Sequence, residues 1–446
     1  MSDELLPLPF VSSALPDGAA TSELQTNGND TLTSIDGKLT TGVIVNPNDA
    51  YLDAFSRTRV SNPEIIFDSK SLSSTSVAHL WDTAIAGTGT SAFNTNQSSY
   101  SLSISGINSS AIRQTYRRFN YQPGRGFLII FTGVIGIQAD GVFSRIGYFD
   151  NNNGLFFMSN NNQISVNVRT STSGSVVTTS VVQSAWNIDK LDGTGASGIT
   201  LDATKTQIFL IDFQWLGVGR IRYGFDIGGL IYWCHQITNA NIRSVVYMTN
   251  PNLPIRYEII STTGTSGSLL QICSCIISEG GNSNISYPRV ISTDTTQLSI
   301  TGSVTTWFPI IVMRLASGFL HANVSVTSMS ILCDSNLRYR WQLVINPTYA
   351  GTALTYGVRH LDNSAVEYAT PTSATTVVSD TGLRIGAGYL DNTSGPISVP
   401  QLNAINAYLG SSIAGVSDTV ALCVAKYAAA SGTETFVAVM NFNESF

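Results

Sequence analysis

The chain has few charged residues. Asp, Glu, Lys and Arg make up 12% of its 446 residues, about half of the usual share, and the formal net charge is −6. Because nucleic-acid binding requires a cationic face, we expect no nucleic-acid partner. The one basic cluster, Arg113, Arg117 and Arg118, is interleaved with aromatic residues, so we predict a strand in which the arginine stems lie over aromatic rings.

Cysteine is also scarce. The five cysteines are an odd, scattered set, mostly within apolar runs such as QICSCII, which indicates free buried thiols and assembly in a reducing cytoplasm. The start MSDELLPLPF lacks the cationic residues and long apolar core of a signal peptide. No apolar run approaches the length that spans a bilayer, so we expect no membrane partner.

Short apolar or alternating segments fill the chain from about Asn46 onward, for example FLIIFTGVIGI, QISVNVRT and ETFVAVMNF. The run DNNNG, Asp150 to Gly154, predicts a hairpin turn. No amphipathic helix of normal length separates these strands, apart from SVPQLNAINAYLG, which would end at Gly410. The pattern therefore predicts an all-β fold of antiparallel, jelly-roll-like β-sandwiches.

The segment EGGNSN, at residues 279–284, has the composition of a linker. We predict an N-terminal arm over residues 1–45, a first sandwich over residues 46–283 and a second over residues 284–446. In the arm, Leu32, Ile35 and Leu39 lie on one face of a short predicted helix. Because three apolar residues cannot stabilise a lone helix, we interpret them as an oligomerisation seam in a homotrimer. A helix lying on the main domain is an equal alternative.

Three stretches resemble proteins of virus particles. The arm, LPLPFVSSALPDGAATSELQTNGNDTLTSIDGKL, is similar to the N-terminal arms of phage head-fibre and tail-associated proteins. DAFSRTRVSNPEIIFDSK resembles an AFGRLRVSNP-type segment of virion proteins from tailed phages and some large DNA viruses, with Ser56 and Thr58 in place of Gly and Leu. Between Tyr121 and Ile259, five stretches follow the order of the same family: YQPGRG, FDNNNGLFFM, VVQSAWNIDKLDGTGASGITLD, FQWLGVGRIRYGF and NPNLPIRYEI.

The resemblance implies an accessory structural protein of the virion, assembled in the host cytoplasm, whose partners are its own copies and other capsid or tail proteins. It implies no catalytic residues and no cofactor. Capsid decoration or a head fibre is our first interpretation, and a tail-attached protein that binds a host-surface glycan is the second. The second rests on aromatic residues of the kind that stack on sugar rings. They include Trp81, Trp186, Trp215, Trp233, Trp307 and Trp341.

The remaining motifs favour turns and core packing over chemistry. GTGASG, Gly193 to Gly198, matches G-x-G-x-x-G, but a strand and not a helix is predicted to follow it. Two Asp-rich loops, around Asp150 and around Asp189 with Asp192, offer oxygen atoms to Ca²⁺ without EF-hand spacing, and turns explain both. No nucleophile elbow is present. We predict no metal site and no enzyme activity. The carboxylates Asp212, Asp226 and Glu258 are expected to lie in strands. Core packing is predicted for the histidines and for two of the cysteines: His79, His235, His321, His360, Cys273 and Cys275.

Overall fold

The computed structural model describes Leu52 and residues 62–73, 79–280, 286–293, 296–301, 305–334, 338–358, 364–379, 382–390, 408–427 and 432–446. Within these residues the only helices are two 3-10 turns, Gln183–Ala185 and Ser317–Phe319. The predicted arm, with Leu32, Ile35 and Leu39, lies outside the described residues, and so does His360. The oligomerisation seam therefore stays a prediction.

The first sandwich consists of two antiparallel sheets that enclose one hydrophobic core. Sheet I has the order β13-β12-β11-β6-β15-β4-β3, with β1 also paired to β15, and sheet II has the order β10-β9-β8-β7-β14-β5-β2. The strands are β1 Pro63–Lys70, β2 Trp81–Ala86, β3 Thr90–Asn94, β4 Ser99–Ile104, β5 Ser109–Thr115, β6 Phe127–Val134, β7 Val142–Phe149, β8 Gly154–Asn160, β9 Gln163–Thr170, β10 Val177–Val182, β11 Gln207–Phe213, β12 Ile221–Ile227, β13 Leu230–Ile237, β14 Ile255–Ser261 and β15 Gly267–Glu279.

The second sandwich encloses its own core between sheets III and IV. Sheet III has the order β16-β28-β19-β26, with β17 on β28, and sheet IV has the order β22-β23-β18-β27-β20-β25. The ribbon β21-β24 packs on the outer side of sheet IV, where Val378 joins an apolar cluster with Val312. The strands are β16 Tyr287–Ser292, β17 Leu298–Ile300, β18 Phe308–Leu315, β19 Asn323–Cys333, β20 Tyr339–Ile345, β21 Thr348–Gly351, β22 Gly357–Val358, β23 Val366–Ala369, β24 Thr376–Ser379, β25 Leu383–Leu390, β26 Tyr408–Leu409, β27 Thr419–Lys426 and β28 Glu434–Ser445.

The predicted all-β class with antiparallel sandwiches is confirmed. One local prediction is wrong in its described part. Tyr408 and Leu409, the end of the predicted helix, form β26 and pair with Ser325 and Val324 of β19. Leu409 is buried in the second core, so packing against a neighbouring strand overrides the local helical pattern. The rest of that helix lies outside the described residues.

In each sandwich the first strand pairs with the last. Strand β1 lies antiparallel to β15, with Pro63 opposite Glu279, and β16 lies antiparallel to β28, with Tyr287 opposite Glu444. The strands of the first sandwich thus end at Glu279 and those of the second begin at Tyr287. Both sandwiches belong to one compact unit, Ala50–Phe446, and the division into separately folding domains stays a prediction.

Partway along strand β15 the alternation of buried and outward-facing residues shifts by one position. Leu269 and Gln271 are buried at its start, whereas Ser274 and Ile276 are buried further on. The pairing with β6 shifts by one residue between Gln271 and Cys273, and such a bulge reverses the alternation of side chains. This shift is why the strand does not alternate regularly in the sequence.

The hairpin predicted at DNNNG joins β7 to β8. Oδ1 of Asp150 accepts hydrogen bonds from the backbone N–H groups of Asn152 (2.8 Å) and Asn153 (2.9 Å). Gly154 has a φ of 149°, and a Cβ atom there would lie 2.0 Å from Cβ of Phe149. Only glycine fits this position, so the prediction of a tight turn is confirmed.

A buried ion-pair network lies on the outer side of sheet II. Glu258 pairs with Arg145 on β7 and with Arg256 on its own strand, and both the glutamate and Arg256 are buried. Burial acts to raise the pKa of the Glu258 carboxyl, but together the neighbouring guanidinium groups outweigh it and hold this pKa below its ordinary value. The carboxylate therefore serves as a structural counter-ion.

Replacing the carboxylate in Glu258→Gln would leave the buried guanidinium of Arg256 and the half-buried guanidinium of Arg145 without their counter-ion. We expect a loss of about 3–5 kcal/mol in the free energy of unfolding at pH 7. Because folding lowers the Glu258 pKa, the ion pairs contribute stability above about pH 4.3, and that contribution disappears as the pH falls through the folded-state pKa. Urea unfolding of both proteins at pH 7 and pH 3 measures the difference.

The matched control is Asp68→Asn. Asp68 is paired with Lys70 at 3.8 Å, and both side chains are more than 60% exposed. We expect a change below about 0.5 kcal/mol, since exposed ion pairs contribute little. An equal effect of both substitutions, or a Glu258→Gln effect that is larger at pH 3 than at pH 7, contradicts the role assigned to this network.

Candidate ligand groove at the junction of the two sandwiches

The segment between β5 and β6, residues 116–126, belongs to the first sandwich and faces the second. The N–H of Phe119 donates to the carbonyl of Leu253 (3.1 Å), and the N–H of Tyr121 donates to Oδ1 of Asn252 (2.9 Å). The Tyr121 ring packs edge-on against Phe127 with ring centroids 5.5 Å apart. Buried aromatic anchors thus fix the position of this segment on the first core.

Polar contacts hold the two sandwiches together. The N–H of Ser411 donates to the carbonyl of Tyr116 (2.9 Å), and the N–H of Ile413 donates to Oδ2 of Asp82 (2.7 Å). The guanidinium of Arg118 donates to Oγ of Ser411 and to the carbonyl of Leu320. These bonds join main-chain groups and side chains across the junction, so they fix the orientation of one sandwich on the other.

A titratable cluster lies at the same junction. Asp418 is buried and accepts hydrogen bonds from Nδ2 of Asn346 (2.6 Å) and from the N–H of Gly410 (2.8 Å), with Nε2 of His79 at 3.4 Å. Burial raises the pKa of the Asp418 carboxyl, although His79 acts to lower it. Tyr116 stacks on His79 with ring centroids 5.3 Å apart. Burial, with the nearby carboxylate of Asp82, raises the pKa of the Tyr116 hydroxyl to about 12.

Beside this junction the sandwiches enclose an open groove of about 360 Å³. The first sandwich supplies the polar wall and the second supplies Tyr287 and Phe446, whose ring centroids are 6.4 Å apart. Tyr287 is 52% exposed and Phe446 is 43% exposed, so both rings can be reached from solvent. The lining residues are Asn120, Tyr121, Gln122, Pro123, Arg125, Tyr287 and Phe446. Its volume falls within the range of small-ligand sites.

Sequence patterns did not reveal this groove. In the sequence the segment YQPGRG, residues 121–126, is distinguished only by the resemblance, and Tyr287 lies just after the predicted linker. The two walls come from positions more than 150 residues apart, and they meet only because the sandwiches pack at this angle. The one signal that the sequence offers is an aromatic residue, Tyr287, next to the predicted linker.

The basic cluster behaves as predicted at Arg113, whose guanidinium lies 3.5 Å from the Tyr100 ring centroid. Arg117 and Arg118, however, follow the end of β5 and lie at the junction. The Arg117 guanidinium stacks over the ring of Tyr408, 4.0 Å from its centroid, in the second sandwich. Burial lowers the pKa of both arginines. Their role is to connect the two sandwiches.

Like the loop at Asp150, the Asp-rich loop around Asp189 and Asp192 is closed by its own hydrogen bonds. Asp189 accepts from the N–H groups of Leu191 (2.9 Å) and Ser197 (2.8 Å), which folds the GTGASG segment back onto its carboxylate. Asp192 accepts from the N–H (2.9 Å) and hydroxyl (2.6 Å) of Thr194. Turn formation accounts for both loops, as predicted.

The candidate histidines, cysteines and tryptophans are dispersed. Nδ1 of His235 accepts from the N–H of Asn187 (3.2 Å), His321 lies near Phe319, and Cys273 and Cys275 are half-buried free thiols. In the described part of the chain no three His, Cys, Asp or Glu residues form a group that could hold a metal ion. Nor do these residues include a helix long and apolar enough to cross a membrane. The buried tryptophans are Trp81, Trp186, Trp233 and Trp341.

The predicted strand carboxylates do not converge on one site. Asp212 forms a fully buried ion pair with Arg222, and Glu258 belongs to the network on sheet II. Asp226, near the end of β12, accepts from the N–H of Gly229 (3.0 Å) in the turn that follows. Each carboxylate therefore has a structural partner within the described residues.

Comparisons with known proteins return only distant structural likenesses. No family model and no curated protein matches the sequence. A binding domain of botulinum neurotoxin DC, solved in complex with SialylT, is 12% identical with a TM-score of 0.29, and 48% of this chain covers 47% of that one. A glycosyl hydrolase family protein from Mycobacterium fortuitum is 9% identical, with a TM-score of 0.31, over 48% and 99% of the two chains. The Emp47p carbohydrate recognition domain is 12% identical, with a TM-score of 0.30, over 48% and 94%.

These likenesses are too weak to say anything of function. The chain spans about half the length of the neurotoxin chain that it matches.

The contact at Gly410 makes the junction testable. A Cβ atom there would lie 2.3 Å from the carbonyl oxygen of Tyr116, so Gly410→Ala would wedge the two sandwiches apart. We expect a loss of about 1–3 kcal/mol in the free energy of unfolding, as for other overpacked contacts. Urea unfolding measures the stability, and the radius of gyration from small-angle scattering should rise.

Gly318→Ala is the control, because no atom lies within 4 Å of a Cβ built there. It should leave both measurements unchanged. If Gly410→Ala behaves like the control, the sandwiches are not held together by the contacts described here.

Proposed function

We propose that this chain is an accessory structural protein of a virus particle, without enzyme activity, that functions by assembly. Its resemblance to virion proteins across residues 53–70 and 121–259 supports this assignment, and capsid decoration or a head fibre is its first form. The strand carboxylates Asp212 and Glu258 are engaged in structural contacts, Asp212 with Arg222 and Glu258 with Arg145.

The observation that carries the proposal is an apolar patch at one end of the first sandwich. Leu216, Ile242 and Val245 are 45%, 71% and 55% exposed in the two loops that follow β11 and β13. The N–H of Tyr247 donates to the carbonyl of Gly217 (2.8 Å), which locks the loops together. Fixed apolar loop tips on a weakly charged protein are suited to contacts with neighbouring subunits.

Deletion of residues 1–45 tests the proposed anchoring arm. If the arm attaches the subunit and joins three copies, purified particles of the virus that encodes the chain should contain little of the shortened protein. Quantitative mass spectrometry of the particles, alongside the Leu32→Ala/Ile35→Ala/Leu39→Ala variant, measures incorporation. Normal incorporation of the arm-less protein contradicts the anchoring role, and absence of the full-length protein from particles contradicts the virion assignment.

A second candidate function is glycan binding at the groove, as expected of a tail-attached receptor-binding protein. Solvent-exposed faces of Tyr287 and Phe446 offer stacking surfaces for a pyranose ring. Across the groove, the amide of Gln122 and the guanidinium of Arg125 are groups that hydrogen-bond hydroxyl or carboxylate oxygens. An aromatic wall facing a polar wall matches the amphipathic character of sugars. The buried tryptophans, by contrast, offer no such surface.

Tyr287→Ala should weaken glycan binding by about tenfold, which corresponds to about 1.4 kcal/mol, because the stacking surface is lost. A glycan array identifies the ligand, and calorimetry with the wild type and variant gives the affinities. Tyr389→Ala is the control, since Tyr389 is 68% exposed but does not line the groove. A silent array, or equal losses in both variants, argues against a glycan site at the groove.

A further inference from the structure

Strand β10 forms an edge of sheet II whose outer side is open. Residues 177–180 are exposed, and Val176 and Val177 are 49% and 48% exposed. Beyond its ladder with β9, its main chain makes one hydrogen bond in the described structure, from Nε1 of Trp186 to the carbonyl of Val181 (3.2 Å). The edge strand β13 of sheet I differs, because Asn187 exchanges two bonds of 2.9 Å with the main chain of Gln236 and covers it.

The sequence of β10 has none of the features that normally prevent an exposed edge from pairing. Proteins protect such edges with lysine, proline or a bulge. No charged residue occurs between Arg169 and Asp189, and β10 contains no proline and no glycine. Its residues are Val, Thr and Ser, and the ladder with β9 is regular. An exposed, neutral strand with high β propensity is a template for another strand.

The sequence around β10 is also symmetrical about Thr179. Residues 176–182 read VVTTSVV, so Val177 mirrors Val181 and Thr178 mirrors Ser180. Residues two apart share a face of the sheet. A twofold axis through Thr179, perpendicular to the sheet, would therefore bring like side chains together on each face: valine opposite valine and hydroxyl opposite hydroxyl.

We propose that β10 is a self-association strand, which pairs antiparallel with β10 of a second copy about a twofold axis at Thr179. Pairs of β-branched residues and of hydroxyl side chains stabilise such a ladder, and no like charges face each other. The carbonyl of Val181 retains a lone pair beside its bond from Trp186. The contact joins sheet II of the two copies, and it is isologous, so it differs from the predicted trimer seam in the arm. This inference supplies a partner and a symmetry for the assembly proposed above and rests on it.

A cysteine at position 179 tests the axis directly. Opposed residues in an antiparallel ladder have Cα atoms about 4.5–5.5 Å apart, within the range for a disulfide bond. Under mild oxidation, Thr179→Cys in the full chain should form a disulfide-linked dimer at least about tenfold faster than Thr90→Cys, an exposed position on edge strand β3. The wild type gives the background from the native thiols. Trimers made through the arm alone would not link position 179, so equal rates in the two variants overturn the proposal.

A charge exchange provides an independent measurement. Thr179→Lys and Thr179→Asp should each weaken self-association about tenfold or more in sedimentation velocity, because each residue faces its own copy across the axis. Mixing the two variants should restore pairing, whereas Thr90→Lys mixed with Thr90→Asp should show no change. If the Thr179 mixture does not recover, the twofold axis is wrong. A protein that cross-links at position 179 but is absent from particles refutes the virion assignment and leaves the contact intact.

Discussion

The relative position of the two sandwiches depends on two half-buried arginines that contact partners across the junction. Arg117 and Arg118 follow β5 of the first sandwich, next to the aromatic anchor Phe119, and burial disfavours their charged forms. A guanidinium in such surroundings needs carbonyl, hydroxyl or aromatic groups in place of the water that it has lost. Tyr408 and Ser411 provide these groups from the second sandwich. Sliding one sandwich over the other would break these directional contacts, whereas an apolar interface would tolerate such sliding more easily.

The groove follows from the same constraint. Its polar wall continues the segment that carries the arginines, and its aromatic wall consists of Tyr287 at the start of β16 and Phe446 directly after β28. Tyr287 and Phe446 therefore line one wall of the groove, and Gln122 and Arg125 line the other. A site built between two rigid cores in this way is preorganised, and little ordering has to occur when a ligand binds.

The sequence predicted the parts of the fold that depend on local patterns. Alternation in β6 and β28 indicated strands, and DNNNG indicated its turn. Both features depend on residues that are close together in the chain: burial repeats at every second residue of a strand, and Asn and Gly favour the positive φ of a turn. The helix predicted up to Gly410 failed at Leu409, where a contact with Val324, distant in the chain, decides the conformation. The bulge in β15 hid the alternation there. The groove could not be predicted from the sequence for the same reason as β26, because pairing between residues far apart in the chain determines both.

The pairing of first and last strands has a consequence for synthesis. During synthesis β1 stays unpaired until β15 has emerged from the ribosome, and β16 stays unpaired until β28 has emerged. Each sandwich thus closes only when its final strand is available, and contacts of such long range fold slowly. Until its last strand has been made, the unpaired strands of a sandwich resemble the open edge of β10. Nascent chains on neighbouring ribosomes can therefore pair with each other before either has finished folding.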